Sequence, residues 1–134
     1  MISLDSNVVL SALNTSDVNH GRALTALNQN ASQAYCICPV VRAELRASGS
    51  WAAIDAWLSL QGVSVLWEMP EAAWDSAGEA FGKYSKLRKA GTWPRRLVAD
   101  FLIAAHAQFH ELEMLTFDDT VFKAGFPSVT LQTI

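Results

Sequence analysis

Short apolar runs alternate with longer amphipathic segments from the beginning of the chain. Residues 1–4 predict a strand, and the pattern from Ser6 to about Leu13 predicts a helix with Ser6 as its N-cap. A second helix is predicted over 20–31 and a second strand over 34–38. Asp5 therefore lies at the junction between the first strand and the first helix.

The same alternation continues through the rest of the chain. The further predicted elements are a helix that begins at Pro39, a helix over 51–60 that Gly62 stops, a strand over 63–67, a long helix from Pro70, a helix through RRLVADFLIAAHAQFH after the loop 91–94, the strand MLTF and a last strand SVTLQ. Strands that alternate with helices favour parallel pairing, because parallel neighbours need crossover connections. The prediction is an α/β domain of three layers, with a central, mainly parallel sheet of four or five strands flanked by helices.

Composition indicates that residues 1–134 form a single packed domain. The chain is 51% hydrophobic and 17% charged, which is too apolar for disorder and sufficient to bury one core. No basic leader precedes MISLDSNVVL, and no segment reaches the roughly 18 to 20 apolar residues that cross a bilayer. We therefore expect a cytoplasmic protein that does not engage the membrane.

Two pairs of potential zinc ligands stand close together in the sequence. Cys36 and Cys38 fall in a predicted strand, where alternation sends them to opposite faces, and no second cysteine cluster accompanies them. His106 and His110 are one helical turn apart, but no Glu follows His106 and the pair lies about 80 to 120° around the helix from Asp100. Buried cysteines and structural or surface histidines are predicted.

Two acids directly follow predicted strands. Asp5 comes after the first strand and Asp118 comes after the strand MLTF. In open α/β sheets ligands bind beyond the carboxyl ends of the strands, where loops and helix starts converge. Asp also favours turns and helix caps, so either residue taken alone has a structural explanation.

Two further acids lie on apolar helix faces. On a helical wheel Glu44 projects among valines, opposite Arg42 and Arg46. Asp100 lies in a helix that is apolar almost all round and should be largely buried. An ionised carboxylate in such a setting is costly unless a partner compensates its charge.

The compensating partner is either an arginine for each acid singly or one cation shared by all. Four acids that each need a partner favour the shared cation, since carboxylates brought together repel one another. Oxygen ligands suit Mg²⁺ or Mn²⁺, which proteins hold through a few carboxylates and substrate phosphate oxygens. The sequence thus indicates Mg²⁺- or Mn²⁺-dependent phosphate chemistry at Asp5, Glu44, Asp100 and Asp118.

Four short segments contain these acids, namely LDSNVVL, VVRAELRA, VADFLIAAHA and LTFDDTVFKAGFPSVTL. Their order, spacing and extent over nearly the whole chain resemble the PIN-domain family, and in particular the VapC-type toxins of bacterial type II toxin–antitoxin pairs. The resemblance implies a PIN-like, Rossmann-like fold. It also implies a metal-dependent endoribonuclease that hydrolyses RNA phosphodiester bonds.

The resemblance also implies roles for individual residues. The four acids match the family's catalytic acidic site, with Asp5, Asp100 and Asp118 coordinating the metal and Glu44 coordinating it or positioning its water. Asn7 and Thr116 match polar residues that support the site. Asp118 is preferred over its neighbour because the T-x-D spacing fits the family pattern, which leaves Asp119 as a helix cap or an outer supporting group.

The basic residues are segregated in one segment although the net charge is −3. Six of the ten fall between positions 83 and 96, where no acid occurs, namely Lys83, Lys86, Arg88, Lys89, Arg95 and Arg96. Such cations suit RNA phosphates, and Tyr84 and Trp93 suit base stacking. The predicted RNA contacts are Arg88, Lys89, Arg95, Arg96 and Trp93. Alternatively, Lys86, Arg88 and Lys89 merely complement a helix C-terminus.

The resemblance implies two protein partners, a small cognate antitoxin and a second copy of the chain. Two other functions stay open on the residues alone. One is a phosphatase with Asp5 as nucleophile and Asp118 and Asp119 as Mg²⁺ ligands, although no second Asp stands at position 7. The other is a PIN-like binding module without turnover.

Overall fold

The computed structural model describes residues 1–134 and contains five strands and seven helices. In chain order the elements are β1 (Ile2–Leu4), α1 (Ser6–Leu13), α2 (His20–Gln29), β2 (Tyr35–Ile37), α3 (Pro39–Ala47), α4 (Trp51–Leu60), β3 (Ser64–Val65), α5 (Glu71–Ala90), α6 (Val98–Phe109), β4 (Glu113–Thr116), α7 (Thr120–Gly125) and β5 (Leu131–Thr133). The predicted alternation of strands and helices is confirmed, and α1 and α4 match their predicted limits.

The five strands form one sheet in the order β3-β2-β1-β4-β5, and every neighbouring pair is parallel. β1 and β4 lie side by side at the centre, with Leu4 opposite Leu115. The backbone N–H of Asp5 extends this pairing by donating to the carbonyl of Leu115 at 3.1 Å. The chain segments that leave β1 and β4 are therefore neighbours at the carboxyl edge of the sheet.

The central strands and α6 form the middle of the hydrophobic core. Every residue of β1 and of β2 is buried, and so are Phe101 and all of 103–107 within α6. Both faces of a parallel sheet are covered by its crossover helices, which explains why the strands read as continuous apolar runs. The burial of α6 that its sequence predicted is confirmed.

Several local features differ from the predictions. The cap of α1 is Asp5, whose side chain accepts from the backbone N–H of Ser6, so the prediction of Ser6 as N-cap was wrong. The helix predicted from Arg95 begins only at Val98, because Asp100 caps the backbone N–H of Leu97 and leaves both arginines in the loop. β3 is two residues long, and α7 was not predicted.

The cysteines and histidines occupy structural positions, as predicted. Cys36 and Cys38 are buried and unbonded, and burial raises the pKa of each thiol to about 11. Nε2 of His106 lies 2.8 Å from the carbonyl oxygen of Leu66, and Nε2 of His110 lies 2.8 Å from that of Glu68. These contacts tie α6 to the segment that follows β3. No helix combines the length and the hydropathy that a membrane-spanning segment requires.

Candidate active site

A cavity of about 210 Å³ opens at the carboxyl edge of the sheet, above the ends of β1 and β4. Its lining comes from Asp5 and the start of α1, from α6, from the segment between β4 and α7, and from α7 itself. It consists of Asp5, Ser6, Asn7, Asp100, Ile103, Asp118, Val121 and Phe122. Three of the four predicted acids therefore share one pocket. The fourth, Glu44, reaches the same region through Ser6.

Both oxygens of Asp5 are held by neutral donors. Oδ1 accepts from the backbone N–H of Ser6 at 2.8 Å, and Oδ2 accepts from the hydroxyl of Thr116 at 2.7 Å. Thr116 is fully buried at the end of β4, so these contacts orient the carboxylate rigidly. Burial raises the pKa of Asp5, and the nearby carboxylates of Asp100 and Asp118 raise it further. No cation lies within ion-pairing distance of Asp5.

Glu44 joins the site from α3 through a single hydroxyl. The side chain of Ser6 donates to Oε1 of Glu44 at 3.1 Å, while the backbone of the same residue holds Asp5. Burial raises the pKa of Glu44, and the charges of Asp5 and Asp100 add to the shift. The predicted alternative, an arginine partner, does not occur. Arg42 and Arg46 instead stack on the ring of Trp51, 4.8 and 4.9 Å from its centroid.

Asp100 enters the pocket from the first turn of α6. Its Oδ2 accepts from the backbone N–H of Leu97 at 3.0 Å, which fixes the beginning of the helix. Asp100 makes no ion pair. The helix start thus places a carboxylate in the pocket while using one of its two oxygens.

Asp118 differs from the other acids because a cation contacts it directly. An Nη atom of Arg96 lies 2.6 Å from Oδ2, and Oδ1 accepts from the backbone N–H of Thr120 at 3.0 Å. Burial alone would raise the pKa of Asp118, but the Thr120 hydrogen bonds and the Arg96 charge outweigh it and leave the pKa below its ordinary value. We call Asp5 with Glu44 the uncompensated side of the pocket, and Asp118 with Arg96 the compensated side.

The donor set fits a hard divalent cation. The uncompensated side presents the carboxylate oxygens of Asp5 and Glu44. Burial and repulsion by neighbouring carboxylates raise the pKa values of both groups, and a shared cation would offset the burial of their charges as well as the repulsion between them. The acids are not drawn into a tight cluster, since no three His, Cys, Asp or Glu side chains form a ready group of metal ligands. Mg²⁺ tolerates such an open arrangement, because it keeps several waters and takes few protein ligands.

The predicted supporting residues divide into two groups. Thr116 links the two central strands, since its hydroxyl donates to Asp5 and accepts from the backbone N–H of Asp118 at 3.1 Å. Asn7 lines the pocket, and its buried Oδ1 has no hydrogen-bond partner. Asp119 lies outside the pocket lining, stands at the N-cap position of α7 and pairs with Lys123 at 2.7 Å. The geometry therefore favours Asp118 over Asp119 as the acid of the site.

The predicted RNA contacts lie in different surroundings. Arg88 and Lys89 are exposed in the last turn of α5, and Arg95 is exposed in the loop before α6. Trp93 is 39% exposed. Only Arg96 reaches an acid of the pocket.

Tyr84 cannot serve as a stacking surface for a base, which corrects the expectation for that residue. It is 2% exposed, its ring packs against Phe101 and Trp93, and its hydroxyl donates to the carbonyl of Pro94. Tyr84 instead anchors the loop between α5 and α6 to the core.

Sequence reasoning missed two residues that organise the site. Ser6 was assigned to a helix cap but connects Asp5 with Glu44, and Thr120 fixes one oxygen of Asp118. The position of Ser6 between Asp5 and Asn7 was the available signal for its role. The possible helix cap at Asp119 was the one signal near Thr120, because α7 was not among the predicted elements.

Comparison with solved structures supports the fold over the whole chain. One similar structure is that of VapBC2 from Rickettsia felis bound to a promoter DNA fragment. The matched chain is 22% identical, with 99% of this chain and 98% of that chain covered and a TM-score of 0.69. VapC20 from Mycobacterium tuberculosis, described as a Sarcin-Ricin loop cleaving toxin, is 19% identical over 96% and 98% of the two chains, with a TM-score of 0.67. A toxin–antitoxin complex from Klebsiella pneumoniae is 18% identical over 100% of both chains, with a TM-score of 0.64.

At these identities the structural neighbours establish a shared fold. No curated protein sequence matches the chain. The sequence model of the PIN domain, however, matches residues 2–127, which include all four acids of the site. On this match the chain belongs to the PIN domain family.

Proposed function

We propose that this protein is a metal-dependent endoribonuclease, the toxin of a toxin–antitoxin pair. The observation that supports it most strongly is the uncompensated side of the pocket, where Asp5 and Glu44 share raised pKa values and lack a cationic partner. Burying these carboxylates without a cation destabilises the fold, and a ligand bound at the carboxyl edge of the sheet is expected to offset that destabilisation. Mg²⁺ or Mn²⁺ is the ligand that carboxylate oxygens favour.

The residues of the pocket divide the work. Asp5, Asp100 and Asp118 would hold the cation, and Glu44, held by Ser6, would coordinate it or orient water beside it. When bound, a divalent cation supplies the positive charge that activates water for in-line attack and offsets charge on the leaving oxygen. Thr116 and the backbone of Ser6 hold the Asp5 carboxylate in one orientation. Its conformational freedom is therefore already restricted before substrate binds.

RNA as substrate is supported by the basic residues at the end of α5 and before α6, and by the structural neighbours. Arg88 and Lys89 are exposed at the end of α5 and Arg95 is exposed in the loop before α6, so all three side chains are free to contact RNA phosphates. Trp93 is sufficiently exposed to stack on an unpaired base. A protein of the same fold is described as a toxin that cleaves the Sarcin-Ricin loop.

An antitoxin and a second copy of the chain are the proposed protein partners. Neighbours of the same fold are toxin–antitoxin complexes, including the one from Klebsiella pneumoniae. Trp67 and Trp74 are 64% and 50% exposed, and tryptophan is enriched in the energetically dominant parts of interfaces. Trp51 and Trp57 pack against the core instead.

The direct test is cleavage of a mixed RNA pool with Mg²⁺, with Mn²⁺ and with a chelator. Asp100→Asn is the informative variant, because the amide oxygen can still accept from Leu97 while the carboxylate charge is lost. Asp75→Asn, an exposed change of the same kind on α5, is the control. We expect cleavage by the wild type and by the control with metal only. Cleavage that ignores both the chelator and Asp100→Asn would overturn the proposal.

The same experiments separate the two alternative functions. A binding module would retain RNA without cutting it under any of these conditions. A phosphatase would trap a phosphoryl group on Asp5 and leave RNA intact. Growth arrest on expression in bacteria, relieved by a neighbouring small open reading frame, tests the toxin assignment independently of the substrate.

A further inference from the structure

Arg96 is held at the pocket by contacts that leave its guanidinium incompletely satisfied. One Nη donates to Oδ2 of Asp118, and the other donates to the carbonyl of Arg95 at 2.8 Å. Its Nε is buried and has no hydrogen-bond partner. An arginine fork that uses all its donors binds more strongly than this one, so the present position of Arg96 is not its best possible one.

The two oxygens of Asp118 are both engaged in this arrangement. Oδ1 accepts from Thr120, and Oδ2 faces the guanidinium. Asp5, Glu44 and Asp100 are held by neutral donors only, so a divalent cation meets no positive charge on them. A cation at Asp118 meets the charge of Arg96 directly.

We propose that Arg96 is an internal counter-ion that competes with the divalent cation for Asp118 and moves to an RNA phosphate once the cation displaces it. The inference rests on the proposed function, because it takes the cation and the RNA from there. It assigns to one side chain two opposite effects, namely weaker metal binding and stronger RNA binding. The guanidinium suits the second role, since its planar fork matches the oxygens of a phosphate.

The position of Arg96 in the chain permits this exchange. It lies in the segment between α5 and α6, outside either helix, with a side chain that is 25% exposed. Releasing Asp118 therefore breaks no helical hydrogen bond. Tyr84 anchors the same loop through Pro94, so the backbone can stay in place while the side chain turns.

The first experiment measures Mn²⁺ binding to the RNA-free protein by calorimetry. The variants are Arg96→Met, Arg96→Lys and the control Arg95→Met, which removes an equal charge from an exposed neighbour without touching Asp118. We expect Arg96→Met to bind Mn²⁺ about twofold to fivefold more tightly than the wild type, as loss of one ion pair allows. Arg95→Met should change the affinity little, and Arg96→Lys should lie between the wild type and Arg96→Met.

The second experiment measures the melting temperature with Mn²⁺ and with a chelator. A purely structural ion pair would lower both values equally in Arg96→Met, whereas the proposal predicts a larger difference between them than in the wild type. A variant that fails to fold would be recognised by its circular dichroism, and Arg96→Lys then provides the test. In steady-state cleavage, Arg96→Met should raise KM for RNA although it binds the metal more tightly.

The outcomes distinguish the inference from the function on which it rests. Equal Mn²⁺ affinity in the wild type, Arg96→Met and Arg95→Met would overturn the role of Arg96 and leave the proposed nuclease untouched. Weaker Mn²⁺ binding in Arg96→Met would also overturn it. If neither the wild type nor any variant binds Mn²⁺, both the proposed metal-dependent function and the inference are overturned.

Discussion

The two sides of the pocket contain the same chemical group in opposite electrostatic states. On the uncompensated side, burial and neighbouring carboxylates raise the pKa values of Asp5 and Glu44. On the compensated side, Thr120 and Arg96 leave the pKa of Asp118 lowered although burial opposes them. The difference shows that the chain neutralises part of its acidic site internally and leaves the rest exposed to repulsion. A bound cation should therefore have its most favourable electrostatic interaction with Asp5 and Glu44.

The largest expected effect separates the two sides by the sign of a stability change. Asp5→Asn removes a buried charge that lacks a cation, so without metal it should raise the melting temperature, by about 3 to 5 °C if about 1 kcal/mol is recovered. Asp118→Asn breaks the ion pair with Arg96 and should lower it. Both variants should lose at least about 100-fold in metal-dependent cleavage. Thermal unfolding in the presence of a chelator measures both melting temperatures. Equal shifts of the same sign in Asp5→Asn and Asp118→Asn would show that the two sides do not differ electrostatically.

The next effect tests the link between the acids of the uncompensated side. Ser6→Ala removes the hydroxyl that holds Glu44 but keeps the backbone contact to Asp5. We expect about a 10-fold loss of kcat, the lower end of what supporting contacts to a metal site are worth. Ser85→Ala on α5, which loses one hydrogen bond to the carbonyl of Phe81, is the matched control. Equal rates in the wild type and in Ser6→Ala would show that Glu44 needs no positioning.

A smaller effect follows from the sign of the pKa shifts. Because the folded protein raises the pKa values of Asp5 and Glu44 above 3.8 and 4.5, it binds protons more tightly than the unfolded chain does. Their contribution to the free energy of unfolding therefore grows as pH falls from neutral through those raised values. The contribution of Asp118 has the opposite sign and is lost only below 3.8, as pH falls through its lowered pKa.

This sign is checked by urea unfolding in chelator at a series of pH values. The wild type should gain stability on mild acidification relative to Asp5→Asn, and saturating Mn²⁺ should abolish that gain. A wild type whose pH dependence matches that of Asp5→Asn would show that the uncompensated side carries no electrostatic cost.

The smallest expected effect concerns the exposed cations beyond the pocket. Arg88→Ala combined with Lys89→Ala removes two charges from the last turn of α5 without touching the acids. If both contact phosphates, the slope of log K against log salt for single-stranded RNA should fall by about 1.4, or 0.7 per contact. An unchanged slope would restrict these residues to stabilising the helix C-terminus.

The sequence was sufficient for the elements with a strong hydrophobic period. The apolar runs predicted the central strands. The helical wheels of α3 and α6 identified Glu44 and Asp100 as acids that lie among apolar side chains. Their convergence with Asp5 follows from parallel topology, because every strand ends at the same edge. These predictions required only local periodicity and one rule about sheets.

Other features depend on tertiary contacts that periodicity does not encode. The helical period of α6 continues through Arg95 and Arg96, but a side-chain cap from Asp100 begins the helix later and leaves both arginines in the loop. The pairing of Arg96 with Asp118 follows from that loop and joins residues 22 positions apart. The burial of Tyr84 against Phe101 likewise depends on how α5 packs on α6. Tyr84 and Arg96 are therefore less exposed in the fold than their sequence surroundings suggested, whereas the other basic residues of the segment are exposed as predicted.

Calorimetric titration of Mn²⁺ into the RNA-free wild type and Asp5→Asn tests most directly whether the acidic pocket binds a divalent cation. We expect saturable binding to the wild type, accompanied by proton release that increases as pH is lowered towards the raised pKa values of Asp5 and Glu44. Asp5→Asn should lose most of this affinity. A folded wild type that binds neither Mn²⁺ nor Mg²⁺, or an Asp5→Asn variant that binds as tightly as the wild type, would contradict this expectation.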